Sequence, residues 1–224
     1  MELVGAQAFA TVLHDIDQVW SHFCDSELLL IDIPIGLWDS GDLQRRCDKA
    51  ARARLQRRHS SVFTPPLRAA LEPPSYSEAS ACNYQLSGRK LSRQAWGIAP
   101  KIAEVDAFFA SQPLARGLLR ESHPEILFSC LNGGQPMSFG KKTPRGKSER
   151  QAILQRHYSA TPELLASVRR RYLKRQVADD DVRDALVAAI CASLCARIGL
   201  ITLPAAPDTD ARGLPMEIVL PALC

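Results

Sequence analysis

The chain has 224 residues, of which 46% are hydrophobic and 23% charged, and 28 basic against 24 acidic side chains give a formal charge of +4. This length can bury a sizeable core, and the composition is that of an ordinary folded domain, which excludes a largely disordered chain. The longest apolar run, Leu28 to Ile35, is interrupted by Asp32 and is too short to span a bilayer, so neither a membrane segment nor a leader is expected.

Phe9, Val12, Leu13, Ile16, Val19, Trp20 and Phe23 recur at helical spacing and predict an amphipathic helix over residues 7–24. Leu28 to Ile33 then reads as a parallel strand covered on both faces, and Pro34, which cannot donate to a ladder, places Asp32 near its C-terminal end. Residues 42–58 are expected to be helical and basic. Pro65, Pro66, Pro73 and Pro74 mark a loop-rich stretch, and residues 91–110 form a further helix with Pro100 in its first turn. A second parallel strand is expected over 117–122, stopped at His123 and Pro124. Glycines and prolines make 132–147 a loop. Helices follow at 148–158, 162–176 and 180–198, and the tail around 213–219 adds a short strand. Seven scattered cysteines without Cys-x-x-Cys or zinc-ligand spacing point to a reducing, cytoplasmic setting.

Four acidic positions could carry chemistry. Asp32 sits within an aliphatic strand, where a carboxylate must be paired, metal-bound or hydrogen-bonded as a structural strand end. Glu121 ends the second strand and could reach the same sheet edge, or form a surface ion pair. Asp181 and Asp184 lie three apart on one helix face. The macrodipole alone explains Asp179 and Asp180, but not Asp184. Basic residues cluster at 45–58, 141–150 and 169–175. Lys141, Lys142 and Lys147 with Arg150 surround a Gly/Pro loop that suits a phosphate clamp, although a plain solvated loop has the same composition. The loop is not a P-loop, because the glycine spacing is wrong and Lys142 stands where Ser or Thr would follow the lysine.

Several blocks occur in order: Ile31-Asp32-Ile33-Pro34-Ile35-Gly36, Arg46-Cys47-Asp48, Ser60-Ser61-Val62-Phe63, Pro100-Lys101-Ile102, His123-Pro124-Glu125, Lys141-Lys142-Thr143 and Gly213-Leu214-Pro215-Met216. Together they resemble domain-of-unknown-function family 429, described as predicted nucleases of the ribonuclease H-like fold. Asp181-x-x-Asp184-Ala185-Leu186 is similar to the last-helix motif of RuvC-type resolvases. The resemblance implies a single α/β domain over 1–224, with a helical, loop-rich insertion at 40–115 following the Asp32 strand. It implies catalytic Asp32, Glu121 and Asp184, Mg²⁺ or Mn²⁺ held by Asp32, Asp181 and Asp184, and phosphate on Lys141, Lys142, Lys147 and Arg150. Nucleic acid is the implied partner. Family members resemble one another in opening with a strand carrying Asp-Gly, whereas this chain runs from Met1-Glu2-Leu3-Val4 toward the first helix. The expected consequences are a truncated sheet, an exposed edge prone to self-association, and little metal-dependent nuclease activity. The alternatives are a non-catalytic nucleic-acid-binding or scaffold protein and a phosphometabolite enzyme on the same fold.

Overall fold

The computed structural model describes residues 1–4, 7–41 and 44–223. Its chain opens on a hairpin: β1 (Glu2–Val4) pairs antiparallel with β2 (Gln7–Phe9). The helix predicted over 7–24 is therefore shorter, with α1 confined to Ile16–Phe23. Asp15 fixes that start from extended backbone, its carboxylate accepting the Gln18 N–H at 2.7 Å.

After β3 (Leu29–Ile31) come α2 (Arg46–Leu55), short 3₁₀ turns at Gln56–Ser61 and Arg68–Leu71, α3 (Tyr76–Ser87) and α4 (Arg93–Ser111). Ser92 caps α4 by accepting the Ala95 N–H at 3.0 Å, so the helix begins well before Pro100. That proline lies inside the helix rather than in its first turn, on an exposed position. β4 (Leu119–Glu121) ends where expected, but Pro124 then opens α5 (Pro124–Leu131), because proline's fixed φ suits a helix start. In the predicted loop 132–147, α6 (Pro144–His157) begins early, since the Thr143 hydroxyl accepts the Gly146 N–H at 3.0 Å. The chain ends with α7 (Thr161–Arg171), α8 (Asp179–Ile198), β5 (Leu200–Thr209) and β6 (Pro215–Pro221).

The architecture is mixed α/β, and among the described residues the strands form three two-stranded sheets in place of one continuous sheet. β3 and β4 are parallel, Leu29 opposite Leu119 and Ile31 opposite Glu121, and the crossover between them carries α2, α3 and α4. The parallel pair joins the β5–β6 hairpin through side chains: Arg120 and Glu217 form an ion pair at 2.6 Å. Among the described residues no strand pairs with the far edge of β3.

The main core gathers Leu55, Ile126, Phe128, Leu154, Leu186 and Met216 from α2, α5, α6, α8 and β6. A second cluster packs α1 and α4 against the parallel pair through Ile16, Val105, Phe109 and Leu119. Both are seams of amphipathic elements whose apolar faces leave water together. Gly36 lets the chain after β3 turn close against β6. Its φ is +76°, and a Cβ there would lie 2.7 Å from Met216 Cγ. Arg68 ties the crossover to the final hairpin by pairing with Asp39, Asp106 and Asp210.

Candidate functional site

The C-terminal end of the β3–β4 pair faces α8 across a cleft of about 500 Å³, where open parallel sheets generally hold their ligands. Asp32 follows β3 directly, Ser122 follows β4, Asp181 and Asp184 project from the first turns of α8, and Lys141 comes from the loop before α6. Lys141 Nζ donates to Asp184 Oδ2 at 2.8 Å.

Asp32 is exposed through the cleft mouth but closely surrounded by protein on its other sides. Desolvation raises its pKa well above the usual carboxylate range. Asp184, Glu121 and Glu125 push it further up, against the opposing charge of Lys141. Its carboxylate makes no hydrogen bond or ion pair among the described residues. Burial also raises Asp184, although the Lys141 hydrogen bond and charge oppose the shift. Burial alone would lower Lys141, but the hydrogen bond and charge of Asp184, with Asp180 and Asp32, outweigh it and hold the ammonium charged.

Not all the residues expected at this site are free to act there. Glu121 points into a buried cage. Arg45 Nη2 and Nη1 donate to its two oxygens at 2.7 and 2.8 Å, and the Ile35 N–H donates at 2.7 Å. Arg45 completes the cage with Asp48, from Nε at 3.1 Å and Nη2 at 2.7 Å. Burial pushes the Glu121 carboxyl up, and the guanidinium pulls against it. Arg150, 2% exposed, is a pillar beneath the loop. It donates to the Phe139 and Gly146 carbonyls and to Glu125 Oε1 at 2.5 Å, so it offers no surface to phosphate. Lys142 and Lys147 are exposed on the loop and first turn of α6 and do not line the cleft. Asp181 lines the cleft, and its Oδ2 also accepts the Ala178 N–H at 3.0 Å, so it shares in capping α8.

Ser122 gave no signal in the sequence. It is 2% exposed, and its hydroxyl is buried without a partner among the described residues. The parallel register explains its position: one step past the Ile31–Glu121 pair, Ser122 stands beside Asp32, its N–H donating to Ile31 O at 2.8 Å. The turn behind it is fixed by His123, whose Nε2 lies 3.3 Å from Ser61 O, and by Glu125 on Arg150. Desolvation lowers the His123 pKa, which keeps the imidazole neutral.

The donor set does not fit a pair of metal ions. Glu121 is held by Arg45, and among the described residues no group of three or more His, Cys, Asp or Glu side chains is placed to hold a metal. One hard cation needs less, because Mg²⁺ commonly takes one or two carboxylates and completes its shell with water and substrate oxygens. Asp32 and Asp184 could supply those two.

No helix among the described residues is long and apolar enough to cross a membrane. No curated protein and no solved structure matches the chain. A family model described as a protein of unknown function, DUF429, matches residues 1–209, and the chain belongs to that family.

Proposed function

We propose that the cleft between β3, β4 and α8 is a phosphoester-hydrolysing site of the nuclease class, acting on a nucleic-acid backbone. The observation that supports this is the unpartnered carboxylate of Asp32 opposite the Lys141–Asp184 ion pair. A strongly perturbed acid in a cleft, beside a cation on a loop, is the pairing that phosphoester chemistry uses. With it goes the proposal that β3, β4 and α8 are the remnant of a ribonuclease H-like fold, as the sequence resemblance implies.

In this reading Lys141 leaves Asp184 for a phosphate oxygen and neutralises it. A water attacks phosphorus and gives its proton to the Asp184 carboxylate that Lys141 has left. The ester P–O bond breaks while Asp32, which holds its proton to an unusually high pH, delivers it to the departing oxygen. Mg²⁺ or Mn²⁺ held by Asp32 and Asp184 would require both carboxyls ionised, so it would take the place of this proton delivery and add positive charge that stabilises the developing anion. Only two carboxylates remain for that work, so cleavage is expected to be slow. The scarcity of ligands favours one second reading, a non-catalytic nucleic-acid-binding protein using the same loop.

The test is cleavage of single- and double-stranded DNA and RNA with Mg²⁺ or Mn²⁺, with binding measured in parallel. Slow cleavage lost in Asp32→Asn, and binding weakened in Lys141→Ala/Lys142→Ala, are the expected results. Binding without cleavage selects the second reading. Cleavage indifferent to Asp32→Asn, with binding indifferent to both lysines, defeats both.

A further inference from the structure

A second cavity of about 510 Å³ lies within the crossover, between the C-terminal end of α2, the end of α3 and the segment before α4. Arg45, Val62 and Phe63 line both this cavity and a small cleft reaching Asp32, so they form a shared wall. Among its described lining residues there is no carboxylate. Among the described residues Arg52 engages neutral acceptors there: Nε donates to Val62 O at 3.0 Å, Nη1 to Gln44 Oε1 at 3.1 Å, and Nη2 to Thr64 Oγ1 at 2.9 Å. Two of the five guanidinium N–H groups have no acceptor among the described residues, with a full positive charge behind them. Lys90 adds an exposed ammonium at the rim.

The floor is of the opposite character, with Phe63, Pro65, Pro66 and Leu67 contributing apolar surface. Trp38 lines the cavity as well, and its buried indole N–H has no acceptor among the described residues. A concave, mainly apolar site with a few polar groups is the usual form of a small-molecule pocket. Uncompensated cations select an anion, and flat aromatic walls select a planar ring.

We propose that this cavity binds a nucleoside monophosphate unit, its ring against Phe63 and Trp38 and its phosphate on Arg52 and Lys90. The choice of a nucleotide over other aromatic anions rests on the phosphoester reading of the neighbouring cleft.

The test is calorimetric titration of the full chain with nucleoside 5′-monophosphates, beside inorganic phosphate and free nucleosides, followed also by tryptophan fluorescence. Mononucleotides should bind more tightly than either fragment. Arg52→Gln should weaken them about tenfold or more, the loss expected for a charge-assisted hydrogen bond. Lys90→Gln, at an exposed position that no fold contact needs, should weaken them in the same direction if Arg52→Gln fails to fold. A second, Lys141-dependent binding step would belong to the Asp32 cleft, and Arg52→Gln should leave that step in place. Binding lost in Lys141→Ala and retained in both pocket variants, or no binding at all, overturns the proposal. A 5′-phosphorylated oligonucleotide distinguishes the source of the unit: competition assigns it to a strand end, and absence of competition to free nucleotide. An absence of cleavage at Asp32 leaves the binding readout intact, so the two readings fail separately.

Discussion

Lys141 reaches Asp184 across 43 residues of sequence, and their 2.8 Å ion pair fastens the loop before α6 to the first turns of α8. The loop can take that position because of Gly146. A Cβ there would lie 2.1 Å from the Gly140 carbonyl oxygen and 2.7 Å from its carbon, both backbone atoms that cannot swing aside.

Gly146→Ala should therefore displace the loop. Overpacking of this kind costs about 1–3 kcal/mol. Urea unfolding should show that loss, and fluorescence anisotropy should show weaker nucleic-acid binding as Lys141 shifts. If stability falls but binding is unmoved, the position of Lys141 does not matter to binding.

Glu121→Gln separates structure from chemistry. It removes the charge of one buried partner of Arg45 and leaves Asp48 as the guanidinium's carboxylate partner among the described residues, beside the Ile35 and Gly36 carbonyls. Breaking a buried pair typically costs about 3–5 kcal/mol. A urea midpoint lowered on that scale marks Glu121 as a core residue. A stable variant that loses only activity would return it to the site.

These residues show how far the sequence could be read. Asp32 was legible because a carboxylate in an aliphatic strand before Pro34 has few places to go, and the strand does end there. Asp184 was legible because it lies too far into α8 to be explained by the dipole. Glu121 looked equivalent to Asp32, yet its partner Arg45 is 76 residues away, and nothing local announces a pairing at that range. Arg150 misled similarly: its place in the basic cluster suggested a phosphate clamp, while Glu125, 25 residues earlier, draws the guanidinium into the core. The shortened first helix has a local cause. Its apolar stripe continues upstream of Asp15, but that side chain caps the helix there.

Asp32 should make stability depend on pH with a definite sign. Its folded-state pKa lies above the ordinary 3.8, so the folded chain binds more protons than the unfolded one once pH exceeds that value. Stability from this group is greatest in acid and declines as pH rises through the raised folded value. Asp32→Asn removes that decline and should be the more stable protein near neutrality. Solvent at the cleft mouth screens the exposed side of the carboxyl, so the gain is expected to be modest. Urea midpoints in acidic and mildly alkaline buffer check the claim. Parallel pH profiles for the two proteins would show that the carboxyl is not perturbed as described.

The last prediction concerns the competition between Lys141 and a divalent cation for Asp184. In the native chain the ammonium already neutralises that carboxylate, so an incoming Mg²⁺ or Mn²⁺ must displace it. Lys141→Met removes the competitor and leaves Asp32 and Asp184, with Asp181 on the cleft wall, uncompensated. The variant should be less stable than the native chain without metal, because like charges then face one another. Added cation should recover more stability in the variant than in the native chain, since a ligand stabilises in proportion to its affinity for the folded state. Thermal unfolding with and without Mg²⁺, Mn²⁺ or Ca²⁺ reads this directly, and Lys141→Met/Asp184→Asn serves as the control. A larger cation-induced shift in the single variant, abolished in the double, places the cation on Asp184. Equal shifts in all three proteins would mean that Asp32 and Asp184 hold no cation, and the site would then rest on Lys141 and phosphate binding alone.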